Sequence, residues 1–405
     1  MSNVLVTNSI VAKTSLAILK NMLTFSANVN RDFESEFKSN MERGYNPGQT
    51  IQIKRPPRYT YRAGRVAVPQ ATVESTIPLT LSQGGCDIAF TSAERTLSLS
   101  KLEEKIAAAI APVANEIDRQ GLQLAHYATW NTMNPTGVLP TSQSLAIQAL
   151  TDLNARLDEN AAPRIKGQRT FISAPRVNGS MIQGMAGMFN SSEALDKQFN
   201  SGILVPSFGL KMGMDQNVDT HTNGTQVVTG TAIAGAGQTG SNITVAATGG
   251  TITRGTVISL PGVFAVNPQS RVSTGVLAQF VITADLPAGA TVLPVSPALV
   301  TSGAFQNVTQ SPTNGANFLI VGAASTSYQT NIAYHKDAFT LAMVPMWAPE
   351  NGKGVMGVHQ ESSDGFTLKV TEFYDGTNDA AITRIDVLFG WAATYPELSA
   401  KYYSV

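Results

Sequence analysis

The chain has 405 residues, of which 43% are hydrophobic and only 14% charged, with 28 basic residues balanced by 28 acidic ones. That length holds two or three domains and a sizeable core, which excludes a disordered polymer. Zero net charge excludes a global field that would draw in nucleic acid or an anionic membrane surface.

The single cysteine, Cys86, excludes an intrachain disulfide framework and fits a reducing compartment. No run approaches the roughly 18 to 20 apolar residues of a membrane helix. The first residues place Lys13 and Lys20 among Asn, Ser and Thr and do not read as a signal peptide.

From Ser9 to Thr24, Val11, Ser15, Ile18 and Met22 alternate with Leu16, Leu19 and Leu23, the pattern of a short amphipathic helix. Phe25, Val29, Phe33 and Phe37 follow among charged residues. They read as an arm that packs either on its own core or on a neighbouring subunit.

Thr50 to Phe90 changes to strand periodicity and reads as a long hairpin: Ile51 and Ile53 lead out, and Val73 to Leu81, Ile88 and Phe90 return. Its tip carries five cations and no acid, Lys54, Arg55, Arg58, Arg62 and Arg65, with Tyr59 and Tyr61 between them. Three readings are open. The tip is a solvated loop, a nucleic-acid contact in which cations meet phosphates and rings stack on bases, or an intersubunit contact. We favour the third, because Glu350, Glu361, Asp364, Glu372, Asp375 and Asp379 outnumber Lys353 and Lys369 and supply carboxylates for a neighbour's cations. Pro56, Pro57 and Pro69 would discourage stray edge pairing.

Thr91 to Tyr127 holds the longest helical stripe: Leu99, Leu102, Ile106, Ile110, Val113, Ile117 and Leu124. Thr91 to Glu94 and Ser100 to Glu103 each read as a capping box, and Pro112 predicts a kink or a break. A second helix is expected over Thr141 to Asp158, a buried strand over Gln168 to Ala174, and a helix opened by Pro175 with Met181, Met185 and Met188 as packing groups.

Between Thr222 and Tyr328 the composition shifts to Thr, Ala, Gly and Val, with Arg254, Arg271 and Asp285 the only charged residues. Short strands at 257–259, 263–266, 279–283, 291–293 and 318–321, separated by Gly and Pro turns, predict a small all-β barrel or sandwich inserted within a domain. Strands follow at Phe366 to Phe373 and Thr383 to Trp391, joined by a turn at Tyr374 to Asn378.

Catalytic chemistry finds little support. His126, His221, His335 and His359 never occur at metal-ligand spacing. There is no Gly-x-Ser-x-Gly elbow, phosphate loop or dinucleotide fingerprint. Glu103 and Glu104 point to different helix faces, and Asp375 with Asp379 lacks the spacing of a calcium loop. No enzyme, cofactor or metal is expected.

The order of these segments resembles the coat-protein family of P22-like tailed bacteriophages. The resemblance is carried by Val29-Asn-Arg31, Gly48 to Pro56, Phe90 to Ser98, Pro261 to Pro268, Gln279 to Thr283, Asn331 to Phe339 and Arg384 to Gly390. It implies an α+β, HK97-type capsid fold with an inserted small all-β barrel. The Ala/Gly/Thr-rich stretch Gly230 to Gly240 departs from the family pattern.

By position, the resemblance implies an N-terminal arm at 1–47, an extended loop at 48–90, and a spine helix with peripheral domain at 91–140. It implies an axial domain split into 141–220 and 331–380 around an insertion at 221–330, and a return to the peripheral domain at 381–405. The implied function is a major capsid protein of the virion, with an encapsulin-like compartment as the alternative. The implied partners are further copies in hexamers and pentamers, a scaffolding protein and a portal. The shell encloses double-stranded DNA without sequence-specific binding, uses no membrane, and assembles in the bacterial cytoplasm. Expected intersubunit contacts join Lys54, Arg55, Arg58, Arg62 and Arg65 to Glu361, Asp364, Glu372 and Asp375. A Lys–Asn cross-link at Lys54, as in some HK97-type shells, is not expected.

Overall fold

The structure is a computed structural model that describes residues 8–32, 50–62, 64–67, 69–91, 102–185, 208–347, 357–363 and 366–405. The chain divides into two compact units, one of Met1–Ile53, Ile77–Gly121 and Thr340–Ala392, the other of Lys54–Thr76, Leu122–Phe339 and Ala393–Val405.

In the first unit, α1 (Asn8–Met22) packs on β16 (Gly357–Ser363) and β17 (Phe366–Asp375). Leu16, Leu19 and Leu23 are buried and Met22 is exposed, so the apolar stripe decides which face docks. The chain then folds down on itself: Phe25 and Val29 are buried. The Asp118 carboxylate accepts the backbone N–H groups of Thr24 at 2.7 Å, Phe25 at 3.2 Å and Ser26 at 2.9 Å. Of the two readings of the arm, packing on its own core holds for these residues; Phe33 and Phe37 lie outside the described residues.

β1 (Thr50–Arg55) and β2 (Ser75–Thr80) form a two-stranded sheet, the predicted hairpin. β3 (Ser82–Thr91) is not part of it. It pairs along its length with β18 (Ala380–Ala393), in register from Thr91 opposite Ala380 to Ser82 opposite Phe389. β18 also carries β15 (Phe339–Met343) and β17, and β16 closes the sheet.

β17 and β18, on either side of the expected boundary between 380 and 381, lie in this one sheet. Asp375 to Ala380 makes a tight turn, so β17 and β18 pair as neighbours in sequence. The chain stays in this unit until Ala392.

α2 (Leu102–Ala128) runs unbroken through Pro112. The residue is exposed while Ile110, Val113 and Ile117 are buried. The missing N–H therefore falls on the solvent side, where helices bend outward at least cost. Glycine at 121 lets the helix approach Trp391, since a Cβ there would lie 2.5 Å from the indole. The Trp391 Nε1–H donates to the Ile117 carbonyl at 3.1 Å. The capping boxes, except Thr91 at the end of β3 and Leu102-Glu103 at the helix start, lie outside the described residues.

The second unit contains two sheets. One has the order β4 (Thr132–Met133), β19 (Ser399–Ser404), β14 (Ser327–His335), β5 (Arg169–Ser173), β6 (Lys211–Met214), with β7 (Thr220–Thr222) also on β14. β19 thus pairs with β14 and not with the sheet of β18. α3 (Gln143–Glu159), capped by Ser142, and α4 (Pro175–Met185) pack together, with Met181 and Met185 buried. Met188 lies outside the described residues.

The other sheet has the order β8 (Thr229–Ala232), β13 (Asn317–Ile320), β10 (Val257–Val266), β11 (Ser273–Ile282), β12 (Val292–Leu299), β9 (Gly240–Thr244). A bridge between Ile233 and Val245 joins its outer strands and closes the barrel. Its core holds Ile233, Ile243, Ile258, Phe280, Leu293 and Phe318. β8 and β9 come from the stretch whose composition gave no strand signal. Gly230 sits against Phe318, with a Cβ position 2.3 Å from the ring, so the smallest residue is required there.

Candidate assembly surface

The hairpin beyond β1 is built in two zones. At its base, Pro56 and Pro57 hold the backbone extended, so Arg55 and Arg58 turn their guanidinium groups toward one carboxylate. The Arg55 Nη2 donates to both Glu397 oxygens, at 3.1 and 3.0 Å, and the Arg58 Nη2 donates to Oε1 at 3.1 Å. Arg55 also stands 5.0 Å over the Tyr395 ring and Arg58 5.9 Å from the Phe305 ring. Lys54 pairs with Glu74 at 3.2 Å between exposed side chains, which adds little stability.

Further out, side chains replace the strand ladder. Gln70 accepts the Thr60 N–H at 2.8 Å and donates to its carbonyl at 2.7 Å, and the Tyr59 and Thr72 hydroxyls are 3.0 Å apart. Arg62 curls the tip by donating to the carbonyls of Gly64 and Val66. The tip is laid open: Tyr61 is 93% exposed and Val66 79%, and Arg65 is exposed with no partner among the described residues.

Of the five cations expected at an intersubunit contact, Lys54, Arg55 and Arg58 pair with carboxylates of their own chain. Glu397 carried no signal in the sequence, because it lies 342 residues from Arg55.

Of the predicted carboxylates, Glu361 lies on β16 and Glu372 and Asp375 on β17. Glu361 lies 3.2 Å from the His359 ring on β16. Glu372 is half-buried on β17. Asp375 is absorbed by its own turn, accepting from the Thr377 N–H at 2.9 Å and the Asn378 amide at 2.7 Å, and these bonds hold its pKa below the usual carboxylate value. Asp364 lies outside the described residues. On the neighbouring β18, Asp386 accepts from Arg384 Nε at 2.7 Å.

The sequence reading also missed a buried polar cluster in the second unit. Lys401 on β19 is fully buried and donates to the His126 carbonyl at the end of α2, at 3.2 Å, and to the Gly255 carbonyl at 3.5 Å. His126 Nδ1 meets the Asp219 carboxylate at 2.6 Å, and His221 Nε2 meets the Thr256 hydroxyl at 3.2 Å. The rings of His126 and His221 are 4.9 Å apart, and Tyr403 stacks on Tyr328 at 4.8 Å.

Burial pushes Lys401 down to about 7 and His126 down to about 4, the latter against the pull of Asp219. Burial, helped by His126 and Lys401, pushes His221 down to about 3. A cation amid the histidines makes this a poor metal centre, and no metal-binding group of three or more ligands occurs among the described residues. Its arrangement pins the helix end, β19 and the barrel to one another.

Residues 213–400, a little under half of the chain, match the family model of the P22 coat protein. A chain of Mycobacterium phage Che8 superposes with a TM-score of 0.51 over 94% of this chain and 90% of its own, at 10% identity, which fixes the fold. Residues 213–400 thus resemble the P22 coat protein, and the fold of the chain is like that of the Che8 phage chain.

Lesser likenesses include the capsid of Ralstonia phage GP4, with a TM-score of 0.45 at 6% identity over 88% of this chain and 83% of that one. The capsid of cyanophage P-SCSP1u scores 0.44 at 9% identity over 88% and 84%. No curated protein matches. Through the likeness to the Che8 chain, the expected α+β, HK97-type fold is found. No helix among the described residues is long and apolar enough to cross a membrane.

Proposed function

We propose that this chain is a major capsid protein of a tailed-phage virion, that many copies tile a closed icosahedral shell as hexamers and pentamers, and that the hairpin tip is a principal intersubunit contact. The observation that carries this is the open tip itself. Tyr61 and Val66 expose apolar surface beside Arg62 and Arg65, at the end of a hairpin whose base is fixed within the chain.

An exposed aromatic beside arginine is the composition of an interface centre. The carboxylate-rich strands with Glu361 and Glu372 supply opposite charge on a second copy, and such complementarity selects register more than it adds affinity. The zero net charge limits self-repulsion when hundreds of weak contacts close together.

In this reading a scaffolding protein and a portal take part in assembly in the bacterial cytoplasm. The shell holds double-stranded DNA without reading its sequence, and the protein has no enzymatic activity. The barrel of residues 229–320 is the inserted domain. The test is to express the chain, with a scaffolding partner where required, and to image the product by electron microscopy. Closed shells of uniform size are expected, and a persistent monomer under all conditions would refute the reading. Shells that enclose protein in place of DNA would point to a compartment of the encapsulin kind.

A further inference from the structure

The base of the hairpin is held more elaborately than a solvated loop requires. Arg55, with 28% of its side chain exposed, and Arg58, with 37%, converge on Glu397, with 17%. Glu397 sits in a short 3-10 turn, Pro396–Leu398, that opens with a proline and is itself rigid. A second fastening comes from the barrel. Arg271, one of its two arginines, donates through Nη2 to the Tyr59 carbonyl at 3.0 Å and to the Ala304 carbonyl at 3.1 Å.

Between these fastenings lies a cavity of about 420 Å³ walled by Trp130, Phe280, Phe305 and Tyr395. Its amides, Asn131, Asn160, Gln279 and Asn307, all hydrogen-bond to the protein. These bonds end on the backbone carbonyls of Ser399, Arg156, Thr132 and Ala298, not on the residues that fasten the hairpin.

We infer that Glu397, seconded by Arg271, is a latch that holds the hairpin base and so aims the tip before subunits meet. The inference rests on the tip being an intersubunit contact. A loop tied down only by its two short strands samples many directions, and the ordering entropy then falls due at assembly; a latched loop has already lost it. The latch acts through the arginines on the tip, so Glu397 is a positioning residue rather than a contact. Because Glu397 answers two arginines, removing it leaves both guanidinium groups without that acceptor, whereas removing either arginine leaves one arm in place.

The test reads shell yield in the unlabelled full chain and, separately, tip mobility in the full chain with Cys86→Ser and a spin label at Tyr61→Cys, comparing Glu397→Gln, Glu397→Asp and Arg271→Gln with the parent in each form. Glu397→Gln is expected to sharpen the label spectrum of the free subunit and to lower the yield of closed shells at least tenfold at fixed concentration. Its melting temperature should stay within a few degrees of the parent. Glu397→Asp, which keeps the charge, should recover most of the yield, and Arg271→Gln should fall between.

An unchanged spectrum and unchanged yield in Glu397→Gln would overturn the latch. Should that variant fail to fold, Arg58→Gln together with Arg271→Gln applies the same criterion. An unlabelled parent that never forms shells refutes the capsid-contact reading instead, and the label mobility of the free subunit then still decides whether the latch exists.

Discussion

Lys401→Met offers the most quantitative check on the packing of the second unit. The substitution keeps the length and apolar stem of the side chain and removes its ammonium group. In the folded protein Lys401 titrates at about 7 against its usual 10.5, because burial disfavours the cation. The folded state therefore binds fewer protons than the unfolded one between those values, and stability rises with pH across that window.

Below the window both states are protonated and the full cost of the buried charge is present. A shift of this size corresponds to roughly 5 kcal/mol. Against it stand the two hydrogen bonds to the carbonyls of His126 and Gly255, whose loss costs about 1 to 3 kcal/mol each.

The sign of the net effect at neutral pH is a small difference of these terms, but the pH dependence is not. Urea unfolding of wild type and Lys401→Met at intervals from pH 7 to 10 should show a wild-type stability that climbs relative to the variant. Burial raises Tyr402 and Tyr403, whose contributions lie above this window and cancel in the comparison. Parallel curves through the window would mean that Lys401 is not held in the buried, desolvated state described.

The remaining predictions concern the other fastenings. Asp118→Ala strips the acceptor from three backbone donors at Thr24, Phe25 and Ser26, and should cost about 3 to 5 kcal/mol, read as an earlier urea midpoint and faster proteolysis within residues 8–32. Gly230→Val drives a side chain into Phe318 and should cost at least about 2 kcal/mol, seen by differential scanning calorimetry. Residues 222–330 expressed alone should unfold cooperatively, since the barrel closes on itself through Ile233 and Val245; a fragment with no sigmoidal transition would refute its independence. His126 and His221, both held neutral by burial, should make stability fall as pH drops from about 6.5 toward 4 and then 3, with proton uptake on unfolding measurable by calorimetry in buffers of different ionisation heat.

Much of the architecture was legible in the chain because it is local. The period of Ile110, Val113 and Ile117 determined the helix and its buried face. Pro175 determined where α4 begins, and the Asp375-Gly-Thr-Asn turn determined a hairpin. The barrel's later strands followed from apolar runs between glycines and prolines. The first two did not, because Gly230 and Gly240 serve close approach and a positive φ of +89° rather than strand propensity.

What only the tertiary structure decided is long-range. The sequence by itself determined a cationic hairpin with two prolines at its base, but not that Arg55 and Arg58 end on Glu397. It contained Lys401 and His126 without any spacing that joins them. Periodicity records which face of an element is buried; it carries no record of which distant element covers that face. Ion pairs and buried cations depend on that second fact, since a charge is tolerated in the interior only where the fold brings it a partner. For that reason the cationic tip from Lys54 to Arg65 was legible in the chain, and the pairing of Arg55 and Arg58 with Glu397 only in the fold.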